Sequence, residues 1–277
     1  AASDVYKRQA LACSTVEHVG LIAVGLGVAL RAKALGDGAL TGLGLEAALL
    51  CAVAHGLFKP LLFIGAGEVK HATGTLSLNW LGGLMRGMPR LGALMLLGAA
   101  GMAALPLGPG FAPEFLLLHA VIQAASGGGI LARIGFSALL AVLGLGAALA
   151  LAAAVRIIGI GFLGRPRSLH AAAAEDARRG PFIAMALLGA LCVPVALLPG
   201  LLLGVMTPVI RLLAPEADAP PLTYAPLSLL LLALLAALAA GFIQTRFGVR
   251  GLREVPAWHG GFCLLYTSPS PRDRTRS

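Results

Sequence analysis

A lysine inside an otherwise apolar stretch is the first feature of this sequence that could do chemistry. Lys59 lies in LCAVAHGLFKPLLF, with His55 four residues before it and Cys51 eight before it. On a helix those offsets put all three on one stripe. An amine held away from bulk water can take up and give back a proton, and an imidazole four residues away can pass one on directly or through a water. Pro60 follows at once; it has no backbone donor and leaves the Gly56 carbonyl without its helical partner. Such a defect is tolerated in hydrocarbon only where protein or water satisfies the freed group. The competing reading is a lysine paired with a neighbouring carboxylate for packing alone.

Glu114 is the second candidate. It follows the interruption Pro106–Gly110, in GPGFAPEFLLLHA, and so falls in the first turn of a half-helix. The free backbone donors and positive dipole end there favour a carboxylate, while burial opposes charge, so a neighbour can tip the balance. Broken helices of this kind recur at ion sites in transporters. The alternative is a capping glutamate with no transport role. Glu17 and His18, in ACSTVEHVGLI, are adjacent; neighbouring residues point about 100° apart on a helix, which predicts different partners. Helix–helix hydrogen bonding is an equal reading for each. His119 lies five residues beyond Glu114, off its face, and Arg156 is near enough to a helix end to snorkel; both are read as structural.

Nothing else in the chain suggests a reaction centre. It has no Gly-rich phosphate loop, nucleophile elbow, metal-ligand spacing or DNA-binding motif, so no catalytic, cofactor-binding or metal residues are assigned and no cofactor is expected. The four cysteines form no C-x-x-C pair, and Cys13, Cys51 and Cys192 lie in apolar segments, which is the pattern of buried free thiols. The net charge of +9 is not a nucleic-acid signal, because the basic residues sit between apolar runs rather than among aromatics. Loop lysines and arginines on the cytoplasmic side of a membrane produce the same excess.

The elements that must position these groups follow from composition. The chain is 58% hydrophobic and 12% charged, with mean hydropathy +0.89. Soluble domains carry about 25% charged residues. Long runs with few or no ionisable groups match the roughly 20 apolar residues a bilayer-spanning helix needs, and in lipid the backbone must satisfy itself as helix. An ionisable group at the centre of such a helix costs about 2.5–3.5 kcal/mol, so each invites an explanation. The expected helices are Leu11–Leu30, Leu45–Ala66, Leu91–Leu105, Phe111–Ala125, Phe136–Phe162, Pro181–Leu203 (with Pro194 and Pro199 bending or ending it) and Leu222–Ile243. Between the second and third, Glu68–Arg90 reads as a polar loop.

The two short segments 91–105 and 111–125 could be one broken span or two. With one broken span, Lys70, Arg86, Arg90, Arg165, Arg167, Arg178, Arg179, Arg246, Arg250 and Arg253 share a side, against Arg31, Lys33, Arg133 and Arg211. That ten-to-four bias is steeper than the two-span alternative, so the rule that positive loops stay inside favours the broken span. The fold class is therefore all-α: a polytopic membrane helix bundle of about six or seven transmembrane segments with one discontinuous helix near Pro106–Gly110. Both ends differ sharply from their surroundings. Residues 1–9 and 263–277 resemble translated sequencing-library adapter, which leaves 10–262 as a truncated transmembrane domain.

Five blocks then occur in the order of one family: ACSTVEHVGLIAVGLG, HGLFKPLLFIGAGEVKHATGT, LGGLMRGMPRLGALMLLGAAGMAALP, GPGFAPEF and RIIGIGFLGRPRS. They resemble the C-terminal half of the proton-translocating antiporter-type subunits shared by complex I (NADH:quinone oxidoreductase), Mrp sodium/proton antiporters and membrane-bound hydrogenases. The likeness is greatest to the hydrogenase-4 component B and formate hydrogenlyase subunit 3 branch. The resemblance implies a central relay of His55 and Lys59, a terminal group at Glu114 after the helix break, and a histidine in some members at the position of His18. Cys51 stands where many relatives carry a histidine, Pro60 where a small residue is usual, and Arg156 where close relatives often carry lysine.

The resulting expectation is a proton pathway of Lys59, His55, Glu114, His18 and Glu17 in a multi-pass subunit of a cell inner (cytoplasmic) membrane. Its partners would be the lipid bilayer, the other membrane subunits of the same complex and its peripheral redox arm, with no nucleic acid. The protein would belong to an oxidoreductase complex without a catalytic centre of its own. An Mrp-type sodium/proton antiporter subunit using the same residues, and a structural or assembly component, are the alternatives.

Overall fold

The computed structural model describes residues 5–218, 234–242 and 245, and the described residues are helical with no strand. Two units divide the chain, 1–230 and 231–277. In the second, residues 234–242 and 245 are helical; most of the expected helix Leu222–Ile243 lies outside the described residues. The first unit is built from α1 (Val5–Ala34), α2 (Gly38–Thr73), the single turn α3 (Leu84–Gly87), α4 (Pro89–Met102), α5 (Phe111–Ser126), α6 (Ile130–Val155), a π-helical turn at Arg156–Ile160, the single turn α7 (Leu169–Ala172), α8 (Arg179–Leu197) and α9 (Pro199–Leu213).

Helix α2 is the axis of the bundle and is longer than expected. It starts at Gly38, where the Asp37 carboxylate accepts from the Leu40 amide at 2.9 Å, and ends at Thr73, where Gly74 turns left-handed (φ 71°) and donates to Lys70. Only glycine adopts that φ without cost. The sequence ended this helix at Ala66 and began a loop at Glu68. The helix continues because the Glu68 charge is neutralised: Arg178 donates to its carboxylate from Nη2 at 2.6 Å, Nε at 3.3 Å and its backbone amide at 3.1 Å. Pro60 is carried inside the helix without ending it. At 36 residues α2 is about 54 Å long, well beyond a hydrocarbon core of about 30 Å.

Helix α1 runs antiparallel to α2, and small residues bring the two backbones close: a methyl group at Gly25 would lie 3.1 Å from the Gly44 carbonyl. Packing through small residues is the usual device between membrane helices. The order of contacts along α2 then answers the question of the short segments. Gly65 lies beside Met95, Leu61 and Leu62 beside Gly98, and Phe58 beside Gly101; Cys51 then lies within electrostatic reach of Glu114. Thus α4 and α5 follow one another along the same neighbour in one direction. They form a single discontinuous pass.

The break between them is a strained turn. Ala104 and Leu107 have φ of 45° and 68°, a region that side-chain-bearing residues rarely adopt. Gly101, against Pro109, and Gly110, against the Gly101 carbonyl, leave no room there for a side chain. Such strain persists only where the surroundings hold it.

Helix α6 returns with a largely exposed apolar surface. It ends in the π turn, beyond which the Phe162 and Leu163 carbonyls accept from the amides of Met85 and Gly83, each at 2.9 Å. In the next pass the break expected at Pro199 is present, and the helix it opens runs further than expected. In place of one helix at Pro181–Leu203 there are two, α8 and α9, divided at Leu198 and reaching Leu213. Pro199 cannot donate to the preceding turn and instead starts a new helix, whereas Pro194 is absorbed within α8. Met185 lies against Gly65 near one end of α2, and the Asp218 amide donates to the Gly38 carbonyl at the other.

Helices α1, α2, α8 and the α6–π segment are each long and apolar enough to cross a membrane; α4, α5 and α9 are shorter apolar helices. With α4–α5 and α8–α9 each counted as one broken pass, the described part of the first unit is a five-pass membrane helix bundle. Lys70, Arg86, Arg90, Arg165, Arg167, Arg178 and Arg179 fall at one end of it, and Arg31, Lys33, Arg133 and Arg211 at the other.

Candidate functional site

Lys59 lies on the face of α2 that meets α1, with 5% of its surface exposed. Its Nζ donates to the Leu11 carbonyl and to the Ser14 hydroxyl, both on α1, and sits 5.7 Å from the centre of the Phe63 ring. The hydrogen-bond acceptors are thus neutral. Glu17, one turn further along α1, is close enough to interact with the ammonium electrostatically.

One turn before Lys59, the half-buried His55 ring stacks on His18 of α1, with centroids 5.1 Å apart and planes 13° apart. Phe58 sets its edge against both rings, at 5.1 and 5.6 Å. His18 is 2% exposed, and its Nδ1 lies 2.8 Å from the Ser14 carbonyl. A carbonyl only accepts, so Nδ1 carries a proton, and whenever the ring is neutral its lone pair is on Nε2. The Nε2 atoms of His18 and His55 are both buried and have no hydrogen-bond partner among the described residues.

Glu114 stands in the first turn of α5, half-buried, on the wall of a cavity of about 300 Å³ between α1, α5 and α6. Glu17 lines the same cavity, and the two carboxyl groups interact electrostatically. A second cavity, about 330 Å³, lies beyond Glu17 toward Cys13, Ser14 and Met102; Glu17 and Gly146 line both. Glu17 therefore stands between Lys59 and Glu114, while its neighbour His18 faces His55.

The remaining residues lie apart from this group. His119 makes a 3.0 Å contact from Nε2 to the Gln123 amide nitrogen and packs edge-on to Phe115. Arg156 is exposed and opens the π turn. Sequence reasoning passed over three positions. Glu46 is half-buried inside α2, and Glu68 is buried in its last turns. Ser14 is 5% exposed and touches both Lys59 and His18. The four-residue spacing of Ser14 and His18 is visible in the sequence, but only the packing on α2 shows what the hydroxyl meets.

A titratable line thus runs from His18 and His55 through Lys59 and Glu17 to Glu114, carried on α1, α2 and the second half of a broken pass. The chain is 35% identical over 190 residues to hydrogenase-4 component B of Escherichia coli (strain K12), a match covering 69% of this chain and 28% of that protein. It is 38% identical over 174 residues to formate hydrogenlyase subunit 3 of the same organism, covering 62% and 28%. Against a Na(+)/H(+) antiporter subunit of Alkalihalophilus pseudofirmus it is 38% identical over 117 residues, covering 41% and 14%. The chain therefore spans less than a third of the length of these curated relatives. In fold it is similar to a chain of the membrane-bound sulfane sulfur reductase, an archaeal respiratory membrane complex, with TM-score 0.59 and 23% identity over 90% of this chain and 43% of that one. Residues 3–141, half of the sequence, match the family described as NADH:quinone oxidoreductase/Mrp antiporter, TM. On these findings the chain belongs to the NADH:quinone oxidoreductase/Mrp antiporter transmembrane family.

Proposed function

We propose that this chain is the C-terminal part of a proton-translocating membrane subunit in a hydrogenase-4, formate hydrogenlyase or complex I-like assembly. The observation that carries this is the line of exchangeable groups between α1, α2 and α5, buried at His18 and Lys59 and half-buried at His55, Glu17 and Glu114. Lys59 and Glu17 interact, Glu17 and Glu114 interact, and the His55–His18 stack adjoins Lys59. In such a line a proton gained at one member changes the field at the next. A charge displaced at one end by electron transfer elsewhere in the assembly is passed along as protons. Lys59 and His55 act as the central relay, Glu17 as the link, and Glu114 as the terminal group beside the cavity. The partners are the other membrane subunits and the redox arm. The membrane is the cell's inner one, and the end bearing Lys70, Arg86, Arg90 and Arg165 faces the cytoplasm.

The same residues would serve sodium/proton exchange, a reading favoured by the similarity to the Alkalihalophilus pseudofirmus antiporter. A purely structural role is the third possibility. The decisive experiment places Lys59→Ala in the complete protein, assembled in its complex, and follows acidification of membrane vesicles. Loss of proton movement at normal complex yield is expected. Normal pumping removes the relay. A fall in yield alone, with pumping per complex intact, points to the structural role.

A further inference from the structure

We propose that Ser14 is a positioning residue of this relay, holding the Lys59 amine through its hydroxyl and fixing the His18 tautomer through its carbonyl. The inference rests on the proton-relay reading above and adds a residue that the reading does not use. Three observations carry it. Lys59 Nζ donates to Ser14 Oγ and to the Leu11 carbonyl across the α1–α2 interface. Ser14 Oγ itself donates to the Leu11 carbonyl at 3.1 Å, which turns its lone pairs toward the amine. The Ser14 carbonyl receives the His18 Nδ1 proton at 2.8 Å.

The chemistry of a hydroxyl suits this place. Ammonium has three donors and no acceptor, whereas a neutral amine also offers a lone pair. A carboxylate partner would strongly favour the charged form and hold the amine in it. A hydroxyl accepts from ammonium and, by rotating its proton away from Leu11, donates to the neutral amine, so it accommodates both states of a group that must cycle. The carboxylate of Glu17 is one turn away on the same helix, near enough to influence the charge without seizing it. The tautomer lock completes the arrangement: with Nδ1 tied to Ser14, Nε2 of His18 is the exchangeable nitrogen, in the ring stacked on His55. The carbonyl bond to His18 belongs to the backbone and persists in every variant at position 14, so the side chain acts through the amine alone.

The test uses the complete protein in its complex, with proton movement into vesicles normalised to the amount of assembled complex. Ser14→Thr keeps the hydroxyl; Ser14→Val has the shape of threonine without it; Ser14→Ala removes it without added bulk. Threonine is expected to stay within about twofold of the parent, and valine and alanine to fall about tenfold, the scale of one hydrogen bond to a charged group. Ser14→Cys, close in volume with a weak donor, is expected to behave like alanine and covers the case in which either apolar variant assembles poorly. In a Lys59→Ala background Ser14→Ala should have no further effect. The inference is overturned if alanine or cysteine pumps as fast as serine, or if threonine falls as far as valine. Lys59→Ala run in parallel separates the two ideas, because normal pumping there sinks the relay itself, whereas an inactive Lys59→Ala beside a normal Ser14→Ala sinks only the role of Ser14.

Discussion

Replacing Glu68 by glutamine removes the charge from a tie between the end of α2 and the start of α8. The carboxylate takes three donors from Arg178, two from the guanidinium and one from the backbone. Its own side chain is 6% exposed, but that of Arg178 is 60% exposed. Removing one partner of a fully buried pair costs about 3–5 kcal/mol, because the survivor is left charged and dry. Here the guanidinium can rewet, which removes most of that penalty, while an exposed pair contributes less than about 1 kcal/mol. The side-chain coupling should therefore fall between these limits, at about 1–2 kcal/mol. A double-mutant cycle of Glu68→Gln, Arg178→Gln and the double variant, unfolded by SDS in mixed detergent micelles, measures it. The Arg178 backbone donor persists in every variant, so the cycle isolates the side chains. Coupling under about 0.5 kcal/mol would show that the pair does not hold the helix ends together. A value above about 3 kcal/mol would show a site drier than the structure describes.

Other outcomes follow from the same geometry. The Asp176 carboxylate accepts from the amides of Arg90 and Leu91 at 3.0 and 3.1 Å and so caps α4 from a distant part of the chain. Asp176→Ala should cost about 1 kcal/mol in the same unfolding assay and Asp176→Asn distinctly less. At Gly98 an added Cβ would lie 2.8–2.9 Å from Leu61 and Leu62. Gly98→Val should destabilise by about 1–3 kcal/mol, with Gly20→Val, whose site is open, as the neutral control. Lys33 and Glu216 are 3.4 Å apart, and the Glu216 carboxyl is held below its ordinary value of 4.5 by its own backbone amide and by Lys33. That tether is present above pH 4.5 and is lost as pH falls through the lower folded value. Spin labels at Leu35 and Leu212 should report a constant separation at neutral pH that broadens only in that acid range.

The residues that identify a membrane bundle were legible because hydrocarbon permits so few alternatives. Lys59, His55 and Glu114 stood out for the same reason, each being costly where it lies. The break at Pro106–Gly110 was equally plain, since proline and glycine interrupt an apolar run in full view. What escaped was whatever depended on a distant partner. Helix α2 outruns its apolar segment because Arg178, more than a hundred residues away, neutralises Glu68. Nothing local announces that. Ser14 was hidden for a different reason: a serine in a helix is commonplace, and only the packing of α1 on α2 brings its hydroxyl to Lys59. The division of the last pass turned on two prolines of equal standing in the sequence. Pro194 was absorbed and Pro199 was not.

Both interrupted passes lie against α2, and their interruptions fall at neighbouring heights along it. The first adjoins Phe58. The second, at Leu198, lies between the Gly189 contact with Leu61 and the cluster that gathers Ile210 with Leu45. That interval is the stretch of α2 that carries His55. At both interruptions backbone amides still find partners within the same segment, as Leu198 does at Pro194 and Leu105 at Ala100. A change of side-chain volume on this stretch of α2 therefore presses on two helix interruptions at once.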